Sequence, residues 1–279
     1  EEFITSDESW RSMASPLTFN NFFGGEKYDA RLAKKDWSTP GHHDTDWSYA
    51  MIGTYRGKVS AQLLPPVQEG RIHLPKITIQ RSPTVIDYDF GVTIGGYWEI
   101  ELEGKTGMSV TIRGTEKCGD NQHQKSLTIE NQLHWEGAHN KRYYYRDCYS
   151  QYVLNGNVTE TYKPRFFYQG FRYVQVTLSD PTIKIKRIKA IETGHFQEPV
   201  GTFTCSSLYL NRLHAMIGQT FKNNFNQGVA LSNPNSEKYG WTGDVHLFAE
   251  TADYSFWLPA LWTKWLQDFG DAQQWAGTS

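Results

Sequence analysis

The chain has 279 residues, of which 38% are hydrophobic and 21% charged, with a formal net charge of -2; that is long enough for about two domains with ample core. The near-balance of charge and the lack of a basic stripe argue against a nucleic-acid partner, and no apolar run is long enough to span a membrane. Aromatic residues make up 15%, including 10 Trp and 16 Tyr, and five of the ten Trp fall between Trp241 and Trp275, more than core packing alone usually demands. The three cysteines, Cys118, Cys148 and Cys205, are odd in number and lack metal spacing, which argues against a disulfide framework or a zinc site.

From residue 1 to about 70 the pattern is short extended pieces broken by Gly24-Gly25, Pro40-Gly41 and Pro65-Pro66. The Leu63-Leu64-Pro65-Pro66 stretch reads as a domain exit, because two prolines forbid helix and stiffen the connection. From 71 to 200 strands dominate. Trp98-Glu99-Ile100-Glu101-Leu102, Met108 to Ile112 and Tyr173 to Leu178 alternate apolar and polar residues, the period of a sheet with one buried face. Asn155-Gly156, between Tyr152-Val153-Leu154 and Val158-Thr159, predicts a hairpin turn.

After Gly201 the period lengthens to about 3.6. Ser206 or Ser207 is placed to cap a helix in which Leu210, Leu213, Met216, Ile217 and Phe221 recur every three or four residues. A second helix is expected from about Asp244 to Trp257 and a third from Pro259 to Phe269. The expected fold class is multidomain: antiparallel β-sandwich domains over 1–70 and 71–200, followed by helices over 201–279.

The densest chemistry lies in Ser232-Asn233-Pro234-Asn235-Ser236-Glu237-Lys238-Tyr239-Gly240-Trp241-Thr242-Gly243-Asp244, a polar loop that runs into the second helix with two carboxylates and a Trp. A carboxylic acid can protonate a glycosidic oxygen, a second carboxylate can hold sugar hydroxyls, and an indole face can stack on a pyranose. Plain readings compete: Glu237 beside Lys238 as a solvated charge, Asp244 as a helix-start carboxylate favoured by the dipole, Trp241 as core. Elsewhere, His42-His43 with Asp44 and Asp46 matches no metal-loop spacing, and Gly91 to Gly96 lacks the Gly-Lys-Ser/Thr of a phosphate loop.

The loop resembles the Asp-Cys-Pro-x-Arg-Glu-Lys/Arg-Leu-Gly-Trp-x-Gly-Asp run of bacterial α-L-rhamnosidases, glycoside hydrolase family 78. Thr5 to Trp10, Gly25 to Arg31, Trp37 and Asp46-Trp47 resemble the late part of that family's N-terminal β-sandwich. Tyr88-Asp89-Phe90-Gly91 and Pro164 to Val174 are similar to its concanavalin-like domain. Phe203 to Ser206 and Leu210 to His214 are similar to the entry into its (α/α)6 catalytic toroid.

The resemblance implies an inverting glycoside hydrolase that removes terminal α-L-rhamnosyl or related deoxysugar residues from a glycan, exported to the periplasm or medium of a bacterium. Glu237 takes the general-acid position, and Asp244 and Trp241 take substrate-binding positions. Ser232 stands where the family has a sugar-binding Asp and Ser236 where it has Arg, so both substitutions remove charge from the subsite. The general base is expected beyond residue 279, and the chain is read as a piece of a larger enzyme, inactive by itself. No cofactor or metal is expected at the site; a structural calcium ion is compatible with bacterial sandwiches, but no ligand cluster locates one. The rival readings are a decayed homologue that only binds carbohydrate and, ranked last, a polysaccharide lyase using Lys238 and Tyr239.

Overall fold

The computed structural model describes residues 5–53, 59–116, 148–195, 199–226, 228–230, 233–235 and 238–276. Strands β1 (Arg11–Ser12), β2 (Leu17–Asn21), β3 (Gly25–Asp29) and β4 (Ser48–Tyr49) come first, with a single 3-10 turn at Ala30–Leu32. There follow β5 (Gln68–His73), β6 (Ile77–Ser82), β7 (Val85–Glu103), β8 (Ser109–Thr115), β9 (Tyr149–Val153), β10 (Glu160–Tyr162), β11 (Gln169–Leu178) and β12 (Lys184–Gly194). The last part holds α1 (Leu208–Asn224), the short strands β13 (Phe225–Asn226) and β14 (Val229–Ala230), α2 (Thr242–Asp253) and α3 (Pro259–Ala276). The change from period 2 to period 3.6 thus falls where the sequence places it.

Ten of the strands share one sheet, ordered β2-β3-β9-β8-β11-β7-β12-β5, with β6 and β10 also paired to β7. The long strand β7 makes this a sandwich by changing partners along its length. Its first part, Val85 to Asp89, lies between β6 and β11, and its last part, Ile100 to Leu102, lies between β12 and β10. Gly91 sits between the two parts with φ +77, a backbone conformation that side chains disfavour.

The alternation Trp98, Ile100, Leu102 is wholly buried, while Glu99, Glu101 and Glu103 face outward onto Lys189, Arg187 and Lys186 of β12 at 2.8, 3.4 and 3.2 Å. Trp98 packs edge-on against Phe171 of β11 at 5.3 Å and donates its indole N–H to Ser150 of β9 at 2.8 Å, so the only polar atom of the largest core residue is satisfied.

The sheet is antiparallel except where β3 pairs in parallel with β9, from Gly25 opposite Tyr149 to Asp29 opposite Val153. The first segment thus adds β2 and β3 to the central sheet, and β5 pairs with β12.

The Asn155-Gly156 turn makes no hairpin, since β9 pairs with β8 and β3 while β10 pairs with β7. Gly156 does adopt φ +91, but the turn carries the chain from one layer to the other. The buried Glu160 carboxylate closes it, accepting the backbone N–H groups of Asn155, Gly156 and Asn157 at 2.9, 2.8 and 3.1 Å and the Tyr152 hydroxyl at 2.8 Å. The four donors replace the water that the buried side chain gives up.

The helices build a second core from Phe221, Phe225, Val245, Phe256, Leu258, Leu261 and Trp265, joined by Leu64 from the proline-rich exit. Ser207 caps α1 by accepting from the Leu210 N–H at 3.4 Å. Only the last turn of α1 is deeply buried; Leu208, Leu210 and Met216 are exposed. No described helix is long and apolar enough to cross a membrane. Cys148 is buried and Cys205 half-buried, and Cys118 lies outside the described residues.

Candidate active site

Helix α2 begins at Thr242, and the loop before it determines what faces solvent there. Trp241 is the residue at the helix start, extended at φ -72 and ψ 131 and without a side-chain cap bond. Its ring is 46% exposed and lies 5.4 Å from Tyr239, which in turn lies 5.1 Å from Phe23 at the β2–β3 turn. Within these residues Trp241 is thus only partly packed.

Asp244 occupies the first turn of α2, three residues on, and is exposed. Its carboxylate forms no hydrogen bond or ion pair among the described residues, and it sits where free N–H groups and the helix dipole favour negative charge. Glu237, Ser232 and Ser236 lie outside the described residues, so of the predicted site residues the structure brings together Trp241 and Asp244.

What the sequence missed is how the loop is held. Lys238, the cation of the lyase reading, is 3% exposed and adopts φ +55. Its ammonium donates to the carbonyls of Tyr168 and Phe22 at 2.7 and 2.9 Å, and it lies 4.7, 5.1 and 5.2 Å from the ring centroids of Phe167, Tyr168 and Phe22. Carbonyl oxygens and aromatic faces together replace the water that a buried ammonium loses. The lyase reading, which needs Lys238 at a substrate, fails here.

A second clamp lies upstream. Gly170 donates its N–H to Pro234 O at 2.8 Å, and Gln169 donates its amide to Asn235 Oδ1 at 3.0 Å and to Gly114 O at 2.9 Å. A Cβ at Gly170 would come within 2.7 Å of Pro234 Cγ, so glycine is what lets the loop lie directly on β11. Tyr168 buries a hydroxyl that has no partner among the described residues, and burial pushes its pKa well up, keeping the phenol neutral. The stretch from Pro164 to Val174 was legible as a family signature, but nothing in it announced that Tyr168 to Gly170 support a loop some seventy residues away.

No group of three or more His, Cys, Asp or Glu side chains able to hold a metal ion occurs among the described residues.

Comparison with known proteins gives three matches in chain order. Residues 1–71 match the alpha-L-rhamnosidase N-terminal domain, residues 79–193 the bacterial alpha-L-rhamnosidase concanavalin-like domain, and residues 198–279 the bacterial alpha-L-rhamnosidase 6 hairpin glycosidase domain. The chain belongs to the bacterial α-L-rhamnosidase family.

Among relatives of this family, an alpha-L-rhamnosidase of Formosa agariphila is 29% identical over 96% of this chain and 27% of its own length. One of Streptomyces avermitilis is 29% identical over 98% of this chain and 25% of its own. The chain thus spans about a quarter of the length of these curated relatives. Among solved rhamnosidase structures, that from Dictyoglumus thermophilum superposes with TM-score 0.85 at 29% identity, covering 98% of this chain and 29% of the other. The Streptomyces avermitilis enzyme complexed with L-rhamnose gives TM-score 0.84 at 29% identity, covering 97% and 25%.

Proposed function

We propose that the chain contributes the leaving-group side of an inverting glycosidase that releases terminal α-L-rhamnosyl or a related deoxysugar from a glycan. The observation that carries this reading is the clamped loop, which presents Trp241 and Asp244 on the exposed start of α2 from a base fixed by Lys238. Such rigidity is what a sugar site requires, because small errors in placement cost much of the rate.

In this reading Glu237 protonates the glycosidic oxygen as the bond to the anomeric carbon breaks, Asp244 accepts hydrogen bonds from ring hydroxyls, and Trp241 covers an apolar sugar face. Ser232 and Ser236 make the neighbouring subsite neutral but polar, which suits a modified sugar or one different from simple L-rhamnose. Water attacks from the opposite face with the help of a carboxylate about 6.5–9.5 Å from the acid, supplied from outside these 279 residues. The three helices belong to an (α/α)6 toroid, and the protein works in the periplasm or outside the cell.

The test is release of free L-rhamnose from a panel of rhamnosylated glycans by the full-length protein and its Glu237→Gln variant. Release by the wild type, lowered at least about a hundredfold in a folded variant, supports the assignment. Binding of rhamnosylated glycans with no release by the wild type would instead identify a carbohydrate-binding protein whose catalytic site has decayed.

A further inference from the structure

On the first segment a cleft of about 440 Å³ opens between residues 12–17, the turn after β3 and the segment joining β10 to β11. Its walls carry Tyr28, Lys34, Trp37, Trp47, Arg165 and Phe166. Trp37 is 64% exposed and Phe166 65%, so two large aromatic rings stand in water at a concave surface, where burial would otherwise be favoured.

The framework beneath them is fixed. Glu26 is fully buried and accepts the backbone N–H groups of Arg165 and Phe166 at 2.9 and 3.2 Å and the Tyr162 hydroxyl at 3.1 Å. Arg11 donates to Trp47 O at 3.0 Å while stacking 3.8 Å over Tyr49.

The charge in the cleft has one sign. No carboxylate lines it among the described residues. Lys34 reaches only the exposed Asp46, at 4.0 Å, and the Arg165 guanidinium has no ion pair or hydrogen bond among the described residues. An Arg is a planar fork suited to carboxylate or sulfate, and exposed aromatic faces suit the C–H face of a pyranose.

We infer that this cleft is a non-catalytic saccharide site that takes a sugar unit bearing a carboxylate or sulfate, stacked on Trp37 and Phe166 and paired with Arg165. Its sugar class rests on the glycosidase reading; its charge preference rests on the cleft itself. The cleft and the clamped loop share one run of chain, since Phe167 and Tyr168 beside it hold Lys238. A glycan with an acidic unit here would be held by the same rigid segment that supports the loop.

The test is calorimetric titration of the full-length protein with tetragalacturonic acid and with its fully methyl-esterified, neutral form. The acid form should bind at least about fivefold more tightly, with affinity falling as salt is raised. Trp37→Ala should weaken it about tenfold, and Arg165→Met should abolish the preference for the acid form. Absence of binding, equal binding of both forms, or affinity unchanged in Trp37→Ala overturns the proposal.

Glu237→Gln should keep wild-type affinity for tetragalacturonic acid; loss of affinity in that variant would put the sugar in the catalytic loop and also overturn it. Rhamnose release from 4-nitrophenyl α-L-rhamnoside by the same wild-type preparation judges the glycosidase reading separately. Its absence would sink that reading and leave the titration to decide the cleft.

Discussion

Replacing Lys238 with Met tests whether the loop is pinned by a buried ammonium. Methionine keeps an unbranched stem of similar length against Phe167, Tyr168 and Phe22 but cannot donate. The carbonyls of Phe22 and Tyr168, now 2.9 and 2.7 Å from Nζ, would both lose that donor in the interior, at about 1–3 kcal/mol each. Part of this is offset because a thioether is less costly to bury than an ammonium. The expected net loss is about 2–4 kcal/mol, read by urea denaturation as a shift in midpoint at unchanged slope. A loss below about 0.5 kcal/mol would show that the ammonium contributes no net anchoring, and the account of loop placement would fall with it. Lys238→Gly separates backbone from side chain. It relieves the φ +55 conformation, worth about 1 kcal/mol, yet should remain less stable than wild type because the donor is gone.

Two further perturbations probe the interior on either side of the loop. Burial holds His195 below its ordinary value, with Lys264 on α3 acting in the same direction, while Nδ1 bonds Pro65 O at 2.7 Å and Nε2 is buried without a partner among the described residues. The native ring is thus neutral, its stabilisation is fully present above about pH 6.5, and it is lost as pH falls through the lowered native value. The melting temperature should drop on going from about pH 7 to pH 5, and a His195→Gln variant should show a shallower drop; identical pH profiles would refute this. Glu160→Gln puts an amide donor where four donors already converge, and should cost about 2–3 kcal/mol in urea denaturation, whereas a surface carboxylate swap would stay within about 0.5 kcal/mol.

The parts of this fold that were legible are those set by local repetition. Trp98, Ile100 and Leu102 alternate because one face of β7 is buried, and Ser207 starts α1 because its hydroxyl meets a free N–H. The illegible parts are those in which a polar side chain serves backbone far away in sequence. Asn155-Gly156 carries every local mark of a hairpin, yet the partner strand is decided by Glu160, whose carboxylate turns the chain toward β7. Glu26 and Lys238 are illegible for the same reason, because neither composition nor period reveals that backbone amides or carbonyls from another segment will satisfy them. At the candidate site the family pattern points to Trp241 and Asp244, whereas the clamp at Tyr168 to Gly170 is a property of the assembled sheet.

The helical unit meets the sheet through a second polar seam, and the two seams together explain why a β-sandwich accompanies this loop. Asn223, on the last turn of α1, gives its amide to Thr93 O at 3.1 Å and accepts from the Gly95 N–H at 3.0 Å. Asn226 donates to Thr193 O at 2.9 Å, and Arg71 bridges Glu192 of β12 to Gln219 of α1. A Cβ at Gly95 would come within 2.9 Å of Asn223 O, so the helix end is seated directly on β7. Directional bonds of this kind fix register, where apolar contact alone would tolerate sliding. The end of α1 is thus set by β7 and β12, and the loop before α2 by β11 and the β2–β3 turn. Trp241 and Asp244 take their positions from the sheet through both ends of the connection, so substitutions at Lys238 or Asn223, neither of which need touch a sugar, should alter the placement of the site as well as stability.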